Sequence, residues 1–287
     1  MTDGKPDTSL VEDLIEAGIH FGQRSSGWNP KMERFIYGKR NGIHIIDIKE
    51  TVKGLLLAKR FISRTVAGGK DICFIGTKRQ AKDVLEQRVT DVKMHYVTER
   101  WLGGTLTNFR TIRERLKRLA ELEAIEEKDN FASYSKKMES QLRREKRKIF
   151  RNLSGIREME KLPGALVVID VRRETTAVRE ARKLGIPVIA LIDTDGDPDA
   201  VDVAIPGNDD SMRSIDVVIR ELCRAINDGK EQRVQSNRAE DSEGGKDEGS
   251  DRPRRSRRAQ FRADEPSEPR RESDESARPG TVSANAE

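Results

Sequence analysis

The sequence predicts an α/β fold, a parallel sheet flanked by helices, and two observations carry that prediction. Four short apolar runs, at residues 72–75, 94–97, 165–169 and 188–192, are too short for helices and are bounded by Gly, Pro or charged residues, as strands buried on both faces should be. Helical periodicity separates most of these runs. Strands alternating with helices require right-handed crossovers, and therefore a parallel sheet covered on both sides.

Taken in order, the first element is a helix from Ser9. Ser9 and Glu12 match a capping box, Leu10, Leu14 and Ile15 make an apolar stripe, and Gly18 ends it. A Gly-rich loop follows, then short β-rich runs at 34–37 and 43–46. Residues 49–66 carry helical spacing through Val52, Leu55, Leu56, Lys59 and Ile62, which stops at Gly68-Gly69. Helices are expected at 77–89 and 175–184, and a last one from Ser211 to about Asn227.

One segment breaks the alternation. From Thr107 to Lys161 there is no Pro and a single Gly, Gly155. Apolar residues at Ile112, Leu116, Leu119, Leu122 and Ile125 step by three or four with Arg, Lys and Glu between them, the spacing of a coiled coil, and Met138, Leu142, Ile149 and Leu153 follow. A turn near Asp129-Asn130 folds this into a helical hairpin with arms of about 35 Å. Inserted between two strands, it should protrude from the sheet domain. The predicted organisation is a first part of the α/β domain at 1–106, the hairpin insertion at 107–161, a second part at 162–228, and a disordered charged tail at 229–287, where only one aromatic, Phe261, occurs.

Of the 287 residues, 37% are charged and 34% hydrophobic, with a mean hydropathy of −0.74. No run of about 18 apolar residues exists to span a membrane, and the charged start has no apolar core of a secretory signal, so a cytoplasmic protein is expected. The net charge of +5 is a cancellation. Residues 1–106 carry 18 basic and 13 acidic groups, 107–161 carry 16 and 10, 162–228 carry 8 and 13, and 229–287 carry 13 and 14. The first 161 residues thus stand at +11 against −5 for the next 67, a basic face suited to a polyanion. Cys73 and Cys223 lie in apolar runs and read as reduced core thiols.

Catalysis finds little support. His20, His44 and His95 fall in different segments, and no HExxH, CxxC or nucleophile-base spacing occurs, so no catalytic residue, metal site or cofactor is assigned. Residues 74–80 run strand, Gly turn and helix start, which would place backbone N–H groups beside Lys78 and Arg79 for a phosphate. They lack the spacing of both common nucleotide motifs, so a nucleotide- or phosphate-binding α/β enzyme is kept as the alternative. The acidic loop 193–199 fails as an EF-hand, with Pro198 and Ala204 where Gly and Glu belong, and leaves Mg²⁺ binding open. The distinctive chemistry lies in the first half, where Arg24, Trp28, Asn29, Lys31, Arg34, Lys39 and Arg40, then Lys78, Arg79, Arg100, Trp101, Asn108 and Arg110, interleave cations, aromatics and amides. Such residues neutralise phosphates and stack on bases or riboses, and all thirteen are candidate RNA contacts.

The order of motifs is itself informative: AGIHFG at 17–22, WNPKM at 28–32, FIYG at 35–38, IHIID at 43–47, FIGTKR at 74–79, RWLGGTLTN at 100–108, LP at 162–163, GIPV at 185–188, DTD with DP from 193 to 198, and IPGNDD at 205–210. Over about residues 9–227 the chain resembles the bacterial family of small ribosomal subunit protein two. The resemblance implies a flavodoxin-like parallel sheet with a protruding coiled-coil hairpin. It also implies a non-enzymatic protein that binds small-subunit ribosomal RNA, contacts neighbouring small-subunit proteins, and supports docking of the large RNA-binding ribosomal protein one. Where that family usually has a second His after Phe-Gly, this chain has Gln23, which removes a His pair with His20.

Overall fold

The computed structural model describes residues 8–129, 131 and 134–244, and places in them the predicted parallel sheet with helices on both faces. The elements in order are α1 (Thr8–Glu16), β1 (Phe21–Arg24), a 3-10 turn (Pro30–Phe35), β2 (Ile36–Arg40), β3 (Ile43–Ile46), α2 (Ile48–Ala67), β4 (Ile72–Ile75), α3 (Arg79–Asp91) and β5 (His95–Val97). Then come α4 (Phe109–Asp129), α5 (Lys136–Leu153), β6 (Ala165–Ile169), α6 (Thr175–Leu184), β7 (Val188–Ile192), β8 (Val203–Pro206) and α7 (Met212–Gly244). None of these helices is long and apolar enough to cross a membrane.

The larger sheet has the strand order β5-β4-β6-β7-β8, every pair parallel. Counted within that sheet the order is 2-1-3-4-5, the flavodoxin-like arrangement, and the chain reverses direction of travel between β4 and β6. Side chains alternate across it as a pleat requires. Ile72, Phe74, Val167, Ile169, Ile189 and Leu191 enter one core with α2, α3 and α7, while Cys73, Ile75, Leu166, Val168, Ala190 and Ile192 enter the other with α6 and the base of α4 and α5. Both cysteines are buried and unbridged, and burial pushes each thiol up to about 12.

Four expectations change. The run at 34–37 splits: Pro30 starts a 3-10 turn through Phe35, and β2 begins at Ile36 and pairs with β3. β1, with Gly22, Gln23 and Arg24, has no β-forming pattern of its own and is held by β3 in a small antiparallel sheet of order β1-β3-β2. β8 was hidden by its edge position, where a short strand ending in Pro206 suffices. The last helix does not stop near Asn227: it continues through the start of the expected tail to Gly244, and Lys230 Nζ donates to the Val92 carbonyl at 2.5 Å. The remainder of the expected tail, 245–287, lies outside the described residues.

The segment expected as a coiled-coil hairpin forms two helices, α4 and α5, about 32 and 27 Å long at 1.5 Å per residue. Their shared apolar seam is short, with Leu122, Phe131 and Leu142 buried and Ile125 and Ile149 against them. Ion pairs do much of the clipping: Arg143 and Lys146 both reach Glu126, and Arg118 lies 3.8 Å from Glu145. These contacts describe a packed helix pair, and they do not establish the supercoil of a coiled coil.

Candidate nucleic-acid interface

In an open parallel sheet, ligands bind beyond the carboxyl ends of the strands where the strand order reverses. Here that crevice lies between β4 and β6, and the turn 76–78 opens onto it. The protein fills it with its own charges. Lys78 Nζ lies 3.0 Å from Asp170, 2.6 Å from Asp209 and 2.9 Å from Asp210, and its side chain is only 13% exposed. Glu174 occupies the place of an incoming anion: it accepts from the Thr77 N–H at 3.1 Å and from the Thr77 hydroxyl. Arg173 Nε donates to the same hydroxyl at 2.8 Å.

Asp170 sits at φ 67°, a left-handed conformation that aspartate tolerates better than most residues. It accepts from the Arg173 N–H at 3.1 Å and so aims its other oxygen at Lys78. One cation faces several carboxylates, so protons are retained. Burial, with Asp170 and Asp193 nearby, raises Asp209 to about 8 against the pull of Lys78, and burial raises Asp193 to about 6. Burial also opposes the charge of Lys78, but its carboxylate partners outweigh it and hold the ammonium above its ordinary value.

Gln23 closes the cluster from β1. Its side-chain amide donates to Asp210 at 2.5 Å and to Asp193 at 3.3 Å, and its backbone N–H reaches Asp193 and Thr194. One oxygen from each of Asp193, Asp209 and Asp210 lies within 4.8 Å of the others, a grouping able to hold a metal ion among the described residues. The rest of the acidic loop is taken by cations: Asp195 by Arg172 at 3.0 Å, and Asp197 and Asp199 by Lys31 at 3.1 and 2.9 Å, with Arg34 3.9 Å from Asp199.

The thirteen predicted contact residues therefore separate. Lys78 faces inward as an internal counter-ion. Trp101 is 7% exposed, with its indole N–H donating to Glu180 at 3.2 Å. The same carboxylate accepts from the backbone N–H groups of Gly104, Leu106 and Thr107 at 2.7, 3.0 and 3.2 Å. The Gly-rich loop 101–107 is thus wound around Glu180, whose hydrogen bonds outweigh the burial that would raise its pKa and leave it below the ordinary carboxylate value.

Asn29 ties loops together, receiving the Lys31 N–H and donating to the Gly196 carbonyl at 2.8 Å. Trp28 is half-buried against His44, ring centroids 5.0 Å apart, and burial followed by Lys39 lowers the pKa of that histidine. Lys31 and Arg34 are exposed but share the acidic loop. Arg24, Lys39, Arg40, Arg79 and Arg100 are exposed with no carboxylate partner among the described residues, Asn108 is exposed beside them in sequence, and Arg110 pairs with Glu114 of its own helix. On α5, Arg144, Arg147, Lys148 and Arg151 are likewise exposed without such a partner.

Three roles escaped sequence reasoning. Glu180, Glu174 and Gln23 sit in ordinary-looking helix and strand contexts, and only the fold brings them to their donors. Asp209-Asp210, just after β8, carried a usable signal: two acids at a strand end, where such sheets place polar groups.

Fold and site together define a doubly wound α/β scaffold whose ligand crevice is closed by its own charges, with free cations on the strands β1 and β2, at the start of α3, after β5 and along α5. The family model for ribosomal protein S2 matches residues 14–229. A small ribosomal subunit protein uS2 of Rhodopirellula baltica is 55% identical over 223 residues, 78% of this chain and 86% of the relative. Proteins of the same name from Salinispora tropica and Mycolicibacterium gilvum are 50% and 47% identical, covering 76% and 83% of this chain and 75% and 85% of their own lengths. The chain belongs to the ribosomal protein S2 family. It is not an enzyme, and the nucleotide-enzyme alternative is set aside.

Proposed function

We propose that the protein is a structural constituent of the small ribosomal subunit that binds ribosomal RNA through the free cations of its first half and of α5. The supporting observation is the sorting of charge. Arg24, Lys39, Arg40, Arg79, Arg100, Arg144, Arg147 and Lys148 are exposed with no carboxylate partner among the described residues, whereas Lys31, Lys78 and Arg172 are spent on the acidic loop and the crevice. Unpaired surface cations are what phosphates require. Asn108 and Arg110 extend this set, and Trp28, Asn29, Lys31 and Arg34 shape the loops that present it.

The acidic second half is the surface for neighbouring small-subunit proteins, including the large RNA-binding ribosomal protein one. Co-sedimentation tests the whole reading. The purified chain should pellet with small subunits depleted of this protein at moderate salt, and substituting Arg24, Arg40, Arg100, Arg144 and Arg147 together by Ala should leave it in the supernatant. Unchanged pelleting of that variant would place the contact elsewhere.

A further inference from the structure

Most exposed side chains of this fold are charged, yet β2 presents a bare aromatic. Tyr37 is 82% exposed, the most solvent-accessible of the large hydrophobic and aromatic residues among those described. Its position is set by a defect in the ladder. Ile36 pairs with Ile46 and Gly38 with Ile45, so Tyr37 is the extra residue of a β-bulge, without a partner on β3. Bulges re-aim a side chain, and this one lets Ile36 pack toward the core while Tyr37 stands in solvent.

The surroundings are cationic and open. Arg24 and Arg40 both pair with Ile43 across the three strands, which puts Arg24, Ile43 and Arg40 in one exposed row. Neither arginine has a carboxylate partner among the described residues. The row ends at a two-residue turn, Asn41-Gly42, with φ of 51° and 79°, the geometry of a tight hairpin that keeps Arg40 beside Ile43. Gly38, between Tyr37 and the row, has no atom within 4 Å of where a side chain would begin, and the same holds for Gly42. Tyr37 and Arg40 stand about 10 Å apart along the strand.

A lone exposed aromatic is ordinary on a protein surface. One lifted by a bulge on the strand that carries Arg40, with Arg24 two strands away in the row of Arg40 and an open glycine between, is a stacking platform with phosphate clamps within reach of the flanking nucleotides. From this juxtaposition we infer that Tyr37 stacks on an unpaired nucleotide of the bound RNA while Arg24 and Arg40 hold the flanking phosphates. The inference rests on the RNA-binding function proposed above and adds to it a residue and a substrate feature, an unstacked base. A perfectly paired helix offers no free base face to Tyr37, so the contact discriminates irregular RNA from duplex.

The test uses the full chain, deproteinised small-subunit ribosomal RNA and a fully paired RNA duplex, with affinities measured by filter binding. Tyr37→Phe keeps the π face and should bind the ribosomal RNA within about 2-fold of the parent. Tyr37→Leu and Tyr37→Ala should bind about 5- to 100-fold more weakly, at the parent's salt dependence, because no charge is lost. All three should bind the duplex as the parent does. An Arg24→Ala, Arg40→Ala double variant should weaken binding and flatten the salt dependence by about two phosphate contacts. With RNA carrying 5-iodouridine, photocrosslinking should map to Tyr37.

A parent-like affinity of Tyr37→Ala or Tyr37→Leu for the ribosomal RNA, or an equal loss on the duplex, would overturn the stacking role. If in that case the arginine pair still weakens binding, RNA binding survives and only the inference about Tyr37 falls. Failure of the parent chain to bind the ribosomal RNA at all removes the function and the inference together. Retained RNA affinity with lost binding to a small-subunit protein would make Tyr37 a protein contact, which also overturns it.

Discussion

Replacing Glu180 by Ala should unlatch the loop 101–107 and cost about 3–5 kcal/mol of folding stability. The carboxylate is 8% exposed and accepts from Trp101 Nε1, from the N–H groups of Gly104, Leu106 and Thr107, and from the Thr107 hydroxyl. The donors of Thr107, which is exposed, and of half-buried Gly104 can be rehydrated once the acid is gone. Those on buried Trp101 and Leu106 cannot, and each orphaned donor costs about 1–3 kcal/mol, with the lost charge-assisted bonds added. Glu180→Gln should cost about 2–3 kcal/mol, because its NH₂ group faces donors where an acceptor oxygen stood. Guanidinium unfolding followed by tryptophan fluorescence and by circular dichroism reads both variants, and the midpoint should fall with an unchanged slope. A Glu180→Gln variant as stable as the parent, or a Glu180→Ala loss below about 1 kcal/mol, would refute the latch.

Three further outcomes follow from the crevice and from the hairpin's attachment. Lys78→Ala strands Asp170, Asp209 and Asp210 without their cation and should cost about 3–5 kcal/mol, part of which Asp209→Asn restores in the double variant; additive losses in a double-mutant cycle would deny the pairing. Asp193 and Asp209, raised to about 6 and about 8 in the folded chain, bind protons there that the unfolded chain releases near pH 4, so the stability they contribute is full below that pH and drains as pH rises through 6 and 8. Urea midpoints should therefore decline between pH 5 and 9, and Asp209→Asn should flatten the decline; a rise over that window would reverse the sign. Gly155→Ala would drive a methyl into the Tyr96 carbonyl oxygen and ring and should lower stability by about 1–3 kcal/mol in thermal unfolding, whereas an unchanged midpoint would mean that the backbone there moves freely.

The parallel sheet was legible because β4, β6 and β7 are buried on both faces, and four or five consecutive apolar residues leave few other structures. The helix pair was legible for the opposite reason, a long stretch with neither Pro nor internal Gly before Gly155. The interior charges were not. Lys78 looked like a phosphate ligand because its local context, strand, glycine and helix start, is that of one, and only the position of β8 brings Asp209 to it. Trp101, a Trp among glycines, fits either a packing anchor or a base stacker in the sequence, and only the fold shows Glu180 of α6 at its indole N–H. Free and spent cations carry the same letter in a sequence. What separates Arg24 from Lys31 is the acidic loop, whose Asp197 lies 166 residues from Lys31 in the chain.

The proposed RNA affinity rests on the unspent cations of the basic half, α5 included, and a salt series probes that dependence. Filter binding of the full chain to deproteinised small-subunit RNA should show log affinity falling linearly with log salt, at a slope of roughly −0.7 to −0.9 for each phosphate neutralised. Substituting Arg24, Lys39, Arg40, Arg79 and Arg100 by Ala should remove several contacts from that slope, while Lys78→Met, which removes a cation already spent, should leave it unchanged. A flat salt response of the parent chain, or a slope that falls as much for Lys78→Met as for the outer cations, would contradict the account.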